Sequence, residues 1–317
     1  MLALASTIAA CGGGGASDVQ KVVDEATLEG VESGKLDLAL DIDATDDERD
    51  LNIQLSGPFE SGKGSQPREL DLDVAVKGTP RGKEVDFEGN LTLTTGKKAY
   101  VEFEGTDYEV DATTYRYGRE ILEEPEEVSA CQEAVSDIPL SDFIEDPAEE
   151  GTADVGGANT TKVSGDVDGE TLSEALNLMT EDLLCNEQLK AVPSLQGPLS
   201  ELEESGEGGA DSLKDARIVL YIGEDHIVRR LQAQATVEPP KGGASVGGTG
   251  GGDLAIDLTL TDVNEPQTIA PPESTKPVSA LFRKLGLNPV ELLNVVQGGV
   301  PGAMAFLEKA ARAGGGQ

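Results

Sequence analysis

One stretch of the sequence has nearly the residue spacing of a phosphate-binding loop. Residues 57–64 read Gly-Pro-Phe-Glu-Ser-Gly-Lys-Gly, which supplies the two glycines and the lysine of such a loop. The position after the lysine needs a Ser or Thr hydroxyl to hold a magnesium ion, and Gly64 stands there instead. The loop must also open a helix, whereas Pro67 and an alternating apolar pattern follow. These residues therefore predict a hairpin turn.

A second stretch carries enough carboxylates to suggest calcium binding: Asp41, Asp43, Asp46, Asp47 and Glu48. A calcium loop requires glycine at its sixth position, and Asp46 occupies that position here. The glycine-rich segment 247–253 occurs once, without the tandem repeats of a calcium-binding β-roll. The acidic residues are better explained as one face of a strand followed by an acidic turn, and we expect no metal site.

The sequence offers little for acid–base catalysis. His226 is the single histidine, so a multi-histidine metal site is excluded. It lies in Gly223-Glu-Asp-His226, which predicts a hairpin turn, and a solvated loop residue is favoured over a catalytic base. We expect a protein that is not an enzyme and needs no cofactor.

Charge excludes one class of partner. The 317 residues carry 24 basic and 60 acidic side chains, a net charge of −36, which repels phosphate backbones, so no nucleic acid is expected to bind. Solvated charge that keeps the protein soluble explains this acidity better than a specific cationic ligand. No run of about 18 apolar residues is present, so no membrane-spanning helix is expected.

Alternation of apolar and polar residues dominates positions 35–110. Between Lys35 and Asp43, the apolar residues Leu36, Leu38, Leu40 and Ile42 fall on one face and aspartates on the other. The same pattern recurs in residues 51–55, 70–76, 85–93, 101–103 and 108–110. Because aspartate disfavours strands unless it points into water, each strand has one acidic, wet face and one apolar face. This pattern is typical of an antiparallel meander.

Beyond Asp111, which is placed to cap a helix, the apolar spacing becomes helical and is then interrupted by further strands. We expect, in chain order, helices at 111–123 and 126–135, a polar loop at 146–159, a strand at 161–167, a helix at 169–190, a polar loop at 196–211, and strands at 216–222, 227–237 and 253–263. Residues 276–317 carry five basic and two acidic side chains. This basic tail, with short helical or partly disordered pieces from 274 to 317, is expected to lie apart from the sheet.

A one-sided sheet of eight or more strands curls, and its apolar face must be covered. The predicted helices at 111–135 and 169–190 are the only cover that the pattern provides, and they would enclose a concave, apolar space. Four side chains of the helix predicted at 169–190 recur on one face and are candidates for the wall of that space: Leu172, Leu176, Met179 and Leu183. They could equally fill it as a packed core, which the sequence alone slightly favours. The expected fold class is α+β.

The amino terminus resembles the end of a bacterial lipoprotein signal peptide. Ile8-Ala9-Ala10-Cys11 matches the lipobox, after which Cys11 would become the first residue and carry a diacylglyceryl group. Two or more acyl chains suffice for stable anchoring. Residues 1–10 lack the usual leading Lys or Arg, which a start codon placed too late would explain. Residues 11–17 are glycine-rich and suit a flexible tether; the alternative is a disordered tail with a chance cysteine.

Two further cysteines, Cys131 and Cys185, fall in predicted helices. If Cys11 is lipidated, an even number remains in an exported protein, where disulfides form. A bridge between them would stabilise the fold by about 4 kcal/mol in the chain-entropy model. Two buried free thiols are the alternative.

A family resemblance follows from the second half of the chain. The strand 161–168 leading into a leucine-rich helix, the paired strands 216–231 and the closing run 263–271 resemble the LprG/LppX type of actinobacterial lipoprotein. The resemblance covers about residues 20–273 and omits the tail, and it predicts a lipid-binding domain over residues 18–273. It implies a LolA/LolB-like fold, an incomplete antiparallel barrel with helices against its concave side, and it brings no catalytic residues.

Relatives of this type carry acylated lipids between the membrane and the outer envelope. The resemblance therefore implies a lipid or glycolipid carrier that is held by its amino-terminal lipid anchor on the extracytoplasmic face of the bacterial cell membrane. The alternative is a structural or partner-binding envelope lipoprotein with the same fold and a filled core. The sequence identifies no protein partner.

Overall fold

The alternating stretches form strands of one twelve-stranded sheet. The computed structural model describes residues 16–44, 50–61, 67–79, 84–94, 98–112, 115, 140–167, 213–237 and 251–286. The strands are β1 (Ser33–Ala44), β2 (Leu51–Ser61), β3 (Pro67–Gly78), β4 (Val85–Thr94), β5 (Lys98–Phe103), β6 (Thr106–Glu109), β7 (Ile144–Val155), β8 (Ala158–Val167), β9 (Leu213–Gly223), β10 (Val228–Val237), β11 (Gly252–Thr261) and β12 (Lys276–Pro277). Helix α1 (Ala16–Asp24) precedes the sheet, a 3-10 turn (Leu140–Phe143) precedes β7, and helix α2 (Val278–Lys284) follows β12.

The strands lie side by side in the order β12-β6-β5-β4-β3-β2-β1-β11-β10-β9-β8-β7. Each neighbouring pair is antiparallel except β12, which runs parallel to β6. Strands β7 and β12 form the two edges, so the sheet does not close on itself. The predicted α+β class with an incomplete antiparallel barrel is confirmed at this level.

The register places the apolar side chains of all central strands on the same face. Leu38 lies opposite Leu55 of β2 and Leu258 of β11. Leu40 lies in the next such row, opposite Ile53 and Ile256. Because side chains alternate along a strand, the intervening aspartates occupy the other face.

That other face is polar and internally hydrogen-bonded. Asn52 donates to the carboxylate of Asp41 across β1 and β2. Asn90 donates to Asp71 at 2.9 Å and to Asp73 at 3.1 Å across β3 and β4. An amide opposite a carboxylate supplies a hydrogen bond where a second carboxylate would be destabilising.

Two predicted irregular segments are strands instead. The turn predicted within residues 57–64 does not begin at Gly57, because β2 continues to Ser61. Gly57 is required there by the close approach of β3: a Cβ at this position, with φ 146°, would lie 2.0 Å from the backbone oxygen of Asp71. The loop predicted at 146–159 is also wrong, since residues up to Val155 belong to β7 and only Gly156 and Gly157 form the turn.

The predicted strands after residue 160 are confirmed, as β8, β9, β10 and β11. Asp111 stands where a helix begins, because residues 112 and 115 are helical and the N–H of Tyr115 donates to the carbonyl of Asp111 at 2.8 Å. The rest of the helices predicted at 111–135, and the helix at 169–190, lie outside the described residues. No helix in the described part of the chain is long and apolar enough to cross a membrane.

The tail was expected to lie apart from the sheet, and its first residues do not. Lys276 pairs with Tyr108 and Pro277 with Glu109, which adds β12 to the edge of the sheet. Helix α2 then packs Val278, Leu281 and Phe282 against it. The ordered domain therefore extends past residue 273 at least to Leu285.

Candidate functional site

The candidate site is the apolar face of the three central strands. Ten side chains of β1, β2 and β11 make up this central apolar face: Leu36, Leu38, Leu40, Ile42, Leu51, Ile53, Leu55, Leu254, Ile256 and Leu258. Each of the ten is half-buried, neither fully covered nor fully exposed. Side chains of a packed core are close-packed and mostly fully buried, so this part of the face differs from an ordinary core.

Small side chains adjoin the central apolar face on strand β10. Ala233 lies opposite Ile256 of β11 and Ile218 of β9, and Ala235 lies opposite Leu254. Both alanines are half-buried. An alanine between isoleucines lowers the surface locally, so the apolar face is indented along β10.

One end of the apolar face is covered by helix α1. Val19 and Val23 of the helix form a cluster with residues of β8, β9 and β10, among them Val163 and Leu220, which are both 0% exposed. The helix presents valines at positions 19, 22 and 23, the spacing of one helical face. This end is a dry, close-packed core.

The opposite end is covered by helix α2. Phe282, 7% exposed, and Leu281, 2% exposed, pack with Phe103 and Tyr108 of β5 and β6. Lys284 at the end of the helix forms an ion pair with Glu104 and lies 5.1 Å above the ring of Phe103. The half-buried centre thus lies between two packed ends. The expectation that the helices at 111–135 and 169–190 are the only cover is wrong, because α1 and α2 cover these ends.

Some ionic groups of the strands lie on the polar face and are paired with one another. The guanidinium of Arg230 donates from Nε to Asp257 at 2.9 Å and stands 5.6 Å from the ring of Tyr221. The hydrogen bond from Arg230 lowers the pKa of Asp257 below its ordinary value, against the opposing effect of desolvation. Such pairs stabilise strand pairing, and none faces the central apolar face, because positions 230 and 257 belong to the opposite alternation.

Two cations contact one carboxylate near the edge of the sheet. Glu150 of β7 accepts from Lys162 at 2.6 Å and from Arg217 at 2.6 Å, and Ser164 donates to it at 2.7 Å. The hydrogen bond from Lys162 is the main cause that lowers the pKa of Glu150. These contacts hold the edge strand β7 against β8 and β9.

Possible metal ligands do not come together within the described residues. Among them, no group of three or more His, Cys, Asp or Glu side chains is placed to hold a metal ion. His226 lies in the turn between β9 and β10, as predicted, with φ 64° and a half-exposed side chain. Its Nδ1 is 3.4 Å from Glu25, a surface contact beside the end of α1.

The side chains named from the sequence as sites all lie outside the described residues: Cys11, Cys131, Cys185, Leu172, Leu176, Met179 and Leu183. Lipidation, the disulfide and the helical cavity wall therefore stay predictions. The sequence places seven of the ten side chains, those of β1 and β2, on one face of strands, and predicts a strand for the other three, but it names none of them as a site. Their signal is the alternation of Leu or Ile with polar or small residues.

No protein-family model and no curated protein matches the chain. Among solved structures, the chain is similar to LprF from Mycobacterium bovis, with 14% identity and a TM-score of 0.39, over 81% of this chain and 98% of the other. It is also similar to the lipoprotein LppX from Mycobacterium tuberculosis, with 12% identity and a TM-score of 0.36, over 80% of this chain and 99% of the other. At these TM-scores the likeness is one of general outline. One of them, LppX, bears the name of the type that the sequence resembles.

Proposed function

We propose that the central apolar face binds the acyl chains of a lipid, and that the protein is a membrane-anchored carrier of lipid or glycolipid. The observation that carries this proposal is the half-burial of ten leucine and isoleucine side chains between two packed ends. A half-buried apolar surface of this extent is a binding surface for apolar groups, since large patches of this kind mark interaction sites.

The side chains of the face suit hydrocarbon and little else. Leucine and isoleucine offer no hydrogen bond, so a polar ligand would lose its contacts with water and gain none. Each methylene of an acyl chain transferred out of water contributes about 0.8 kcal/mol. About ten buried methylenes would thus contribute about 8 kcal/mol, which is in the range of the estimated cost of association.

The charged groups support the same interpretation by their position. The aspartates of the central strands alternate with the leucines and lie on the other face of the sheet. On that face, Asp41 of β1 is the cross-strand neighbour of Ala255 of β11. A lipid on the apolar face is therefore not placed against the carboxylates of a strongly acidic protein. The acidic face keeps the carrier soluble while the other face holds hydrocarbon.

We place the carrier on the extracytoplasmic face of the bacterial cell membrane, held by a lipid on Cys11. The lipobox supports this placement, and helix α1 begins only five residues later, at Ala16. An anchored domain with an apolar face acts close to the pool of lipids from which it is loaded.

Two matched tryptophan variants test the proposal. Ala233→Trp fills the indentation of the apolar face, and Ala255→Trp places the same group on the polar face of the neighbouring strand. Uptake of a pyrene-labelled phosphatidylglycerol from vesicles is measured for each variant, with the melting temperature as a control for folding. We expect Ala233→Trp to lose at least tenfold in uptake at an almost unchanged melting temperature, and Ala255→Trp to retain uptake.

A filled core gives the opposite result. Overpacking would then lower the stability of Ala233→Trp by about 1–3 kcal/mol, and the unmodified protein would take up no lipid. That outcome would refute the carrier and favour an envelope lipoprotein that is structural or binds a partner.

A further inference from the structure

We infer that one particular end of the sheet faces the bilayer, and that lipid reaches the apolar face from that end. This inference rests on the proposed function and on the anchor at Cys11, and it adds the orientation of the domain on the membrane. It follows from the direction of helix α1, the position of the segment that follows β11, and the length of the tether.

The last residues of α1 and the turn after it are fixed at the β9–β10 turn. The N–H of Thr27 donates to the carbonyl of His226 at 3.0 Å, and the N–H of Val228 donates to the carbonyl of Thr27 at 2.9 Å. Thr27 therefore forms a short parallel bridge with Ile227. Helix α1 ends three residues earlier, at Asp24, so its carboxyl end lies beside this turn.

The beginning of α1 points along β8 toward the opposite end of the sheet. The cluster around the helix includes Ile222 near the turn and also Ile144 and Val167, which pair at the far end of β7 and β8. Thr161, opposite Ile222, is six residues from Val167, or about 20 Å along a strand. A nine-residue helix is about 13 Å long and must lie along the strand to serve both ends of the cluster.

The far end of β8 belongs to one continuous end of the sheet, which we call the tether end. Strand ends meet there at Ala44 with Gly252, at Gly252 with Val237 and at Gly78 with Leu51. Ile42, Leu51 and Leu254 are the members of the central apolar face that lie nearest to it. The apolar face therefore reaches the tether end.

The segment 262–275, which follows β11, begins at the opposite end of the sheet, which we call the strap end. Asn264 donates its N–H to the carbonyl of Ser33 at 2.8 Å and accepts from the N–H of Glu32 at 2.8 Å. Ser33 donates its hydroxyl to the carbonyl of Glu265 at 2.7 Å. The segment then continues to β12 at the edge of the sheet, so it passes along the ends of the intervening strands.

The tether is short compared with the sheet, and it starts from the amino-terminal end of α1. Cys11 and Ala16 are five residues apart, so the lipidated cysteine lies within about 18 Å of the start of α1. The strands are up to 12 residues long, or about 40 Å. Because α1 extends from the strap end toward the tether end, its amino-terminal end lies nearer to the tether end, and we place that end at the bilayer. Lipid then enters past Ile42, Leu51 and Leu254.

The orientation is measured with a fluorescent amino acid at one of two exposed positions, Asp166 at the tether end or Glu224 at the strap end. Incorporation by codon suppression leaves the native cysteines unlabelled. The lipidated full chain is bound to vesicles of phosphatidylglycerol and phosphatidylethanolamine that carry a headgroup quencher. We expect the label at Asp166 to be quenched at least threefold more than the label at Glu224. Equal quenching, reversed quenching or absence of binding to the vesicles would overturn the inference.

Two further measurements separate this inference from the proposed function. Insertion of about 30 Gly and Ser residues after Gly15 should abolish the difference in quenching, because a long flexible tether no longer restricts the domain; a persisting difference would overturn the role of the tether. In Ala233→Trp the difference should remain although uptake is lost. Uptake with the wrong orientation refutes the inference alone, and the expected orientation without uptake in the unmodified chain refutes the proposed function.

Discussion

Truncation of Phe282 tests whether the beginning of the basic tail is part of the domain. The side chain is 7% exposed and packs with Leu281, Phe103 and Tyr108, where α2 covers one end of the apolar face. Phe→Ala in a fully buried core costs about 3–5 kcal/mol through lost transfer free energy and a cavity. Helix α2 has only seven residues and lies at the edge of the sheet, so it can detach before the domain unfolds. We therefore expect the lower end, a loss of about 3 kcal/mol in the free energy of unfolding.

The loss is measured by urea unfolding followed by circular dichroism, with Ser279→Ala as the matched control. Ser279 lies on the same helix, and its side chain is exposed, so its replacement should change stability by less than about 0.5 kcal/mol. Hydrogen exchange should also show faster opening of β6 in Phe282→Ala, because β12 pairs there. If both variants unfold at the same urea concentration, α2 contributes nothing to the domain and its assignment as a cover is refuted.

Three other outcomes are expected. Cys11→Ser should move the protein from the membrane fraction to the soluble fraction, and unchanged membrane retention would exclude lipidation at this residue. Peptide mapping without reduction should recover Cys131 linked to Cys185, whereas alkylation of both thiols in the unreduced protein would exclude the bridge. Because Arg230 lowers the pKa of Asp257 in the folded protein, the ionised pair stabilises the fold above about pH 4 and its contribution is lost as the pH falls further. Asp257→Asn should thus cost about 1 kcal/mol or less at pH 7, and the difference in stability between the two proteins, measured by urea titration, should shrink as the pH falls below about 4.

The strands and their faces were accessible to sequence analysis because the alternation is strict. Between Leu36 and Ile42 each apolar residue is followed by a polar or small one, which leaves a single way to bury the leucines. The alternation does not determine the register, because a shift by two residues leaves every side chain on the same face. The order of the strands did not follow, because it depends on contacts between residues more than 200 positions apart, such as Leu36 with Leu260.

Strand β7 was missed for a physical reason. It is an edge strand with one partner, and its sequence is acidic, contains Pro147 and carries two register shifts near Glu145 and Gly151. Charge, proline and bulges are the means by which edge strands avoid pairing with other chains, and the same features are typical of a loop. Local composition therefore could not distinguish the two.

The sequence of α2 predicts an apolar helical face but does not predict what that face packs against. Val278, Leu281, Phe282 and Leu285 have the spacing of one helical face, and the segment was recognised as an apolar helical piece. Its surface on the sheet is made by Phe103 and Tyr108, about 170 residues away, and no local pattern names such a partner. The half-burial of the central apolar face is likewise a property of the assembled sheet.

The central claim is that the apolar face holds hydrocarbon, and native mass spectrometry of the full chain, purified without detergent after release from the membrane, tests it most directly. We expect a population with added mass that is lost on collisional activation and identified as an acylated lipid. The added mass should be absent from Ala233→Trp and present in Ala255→Trp. A single bare mass for the unmodified protein, before and after incubation with lipid vesicles, would contradict the claim.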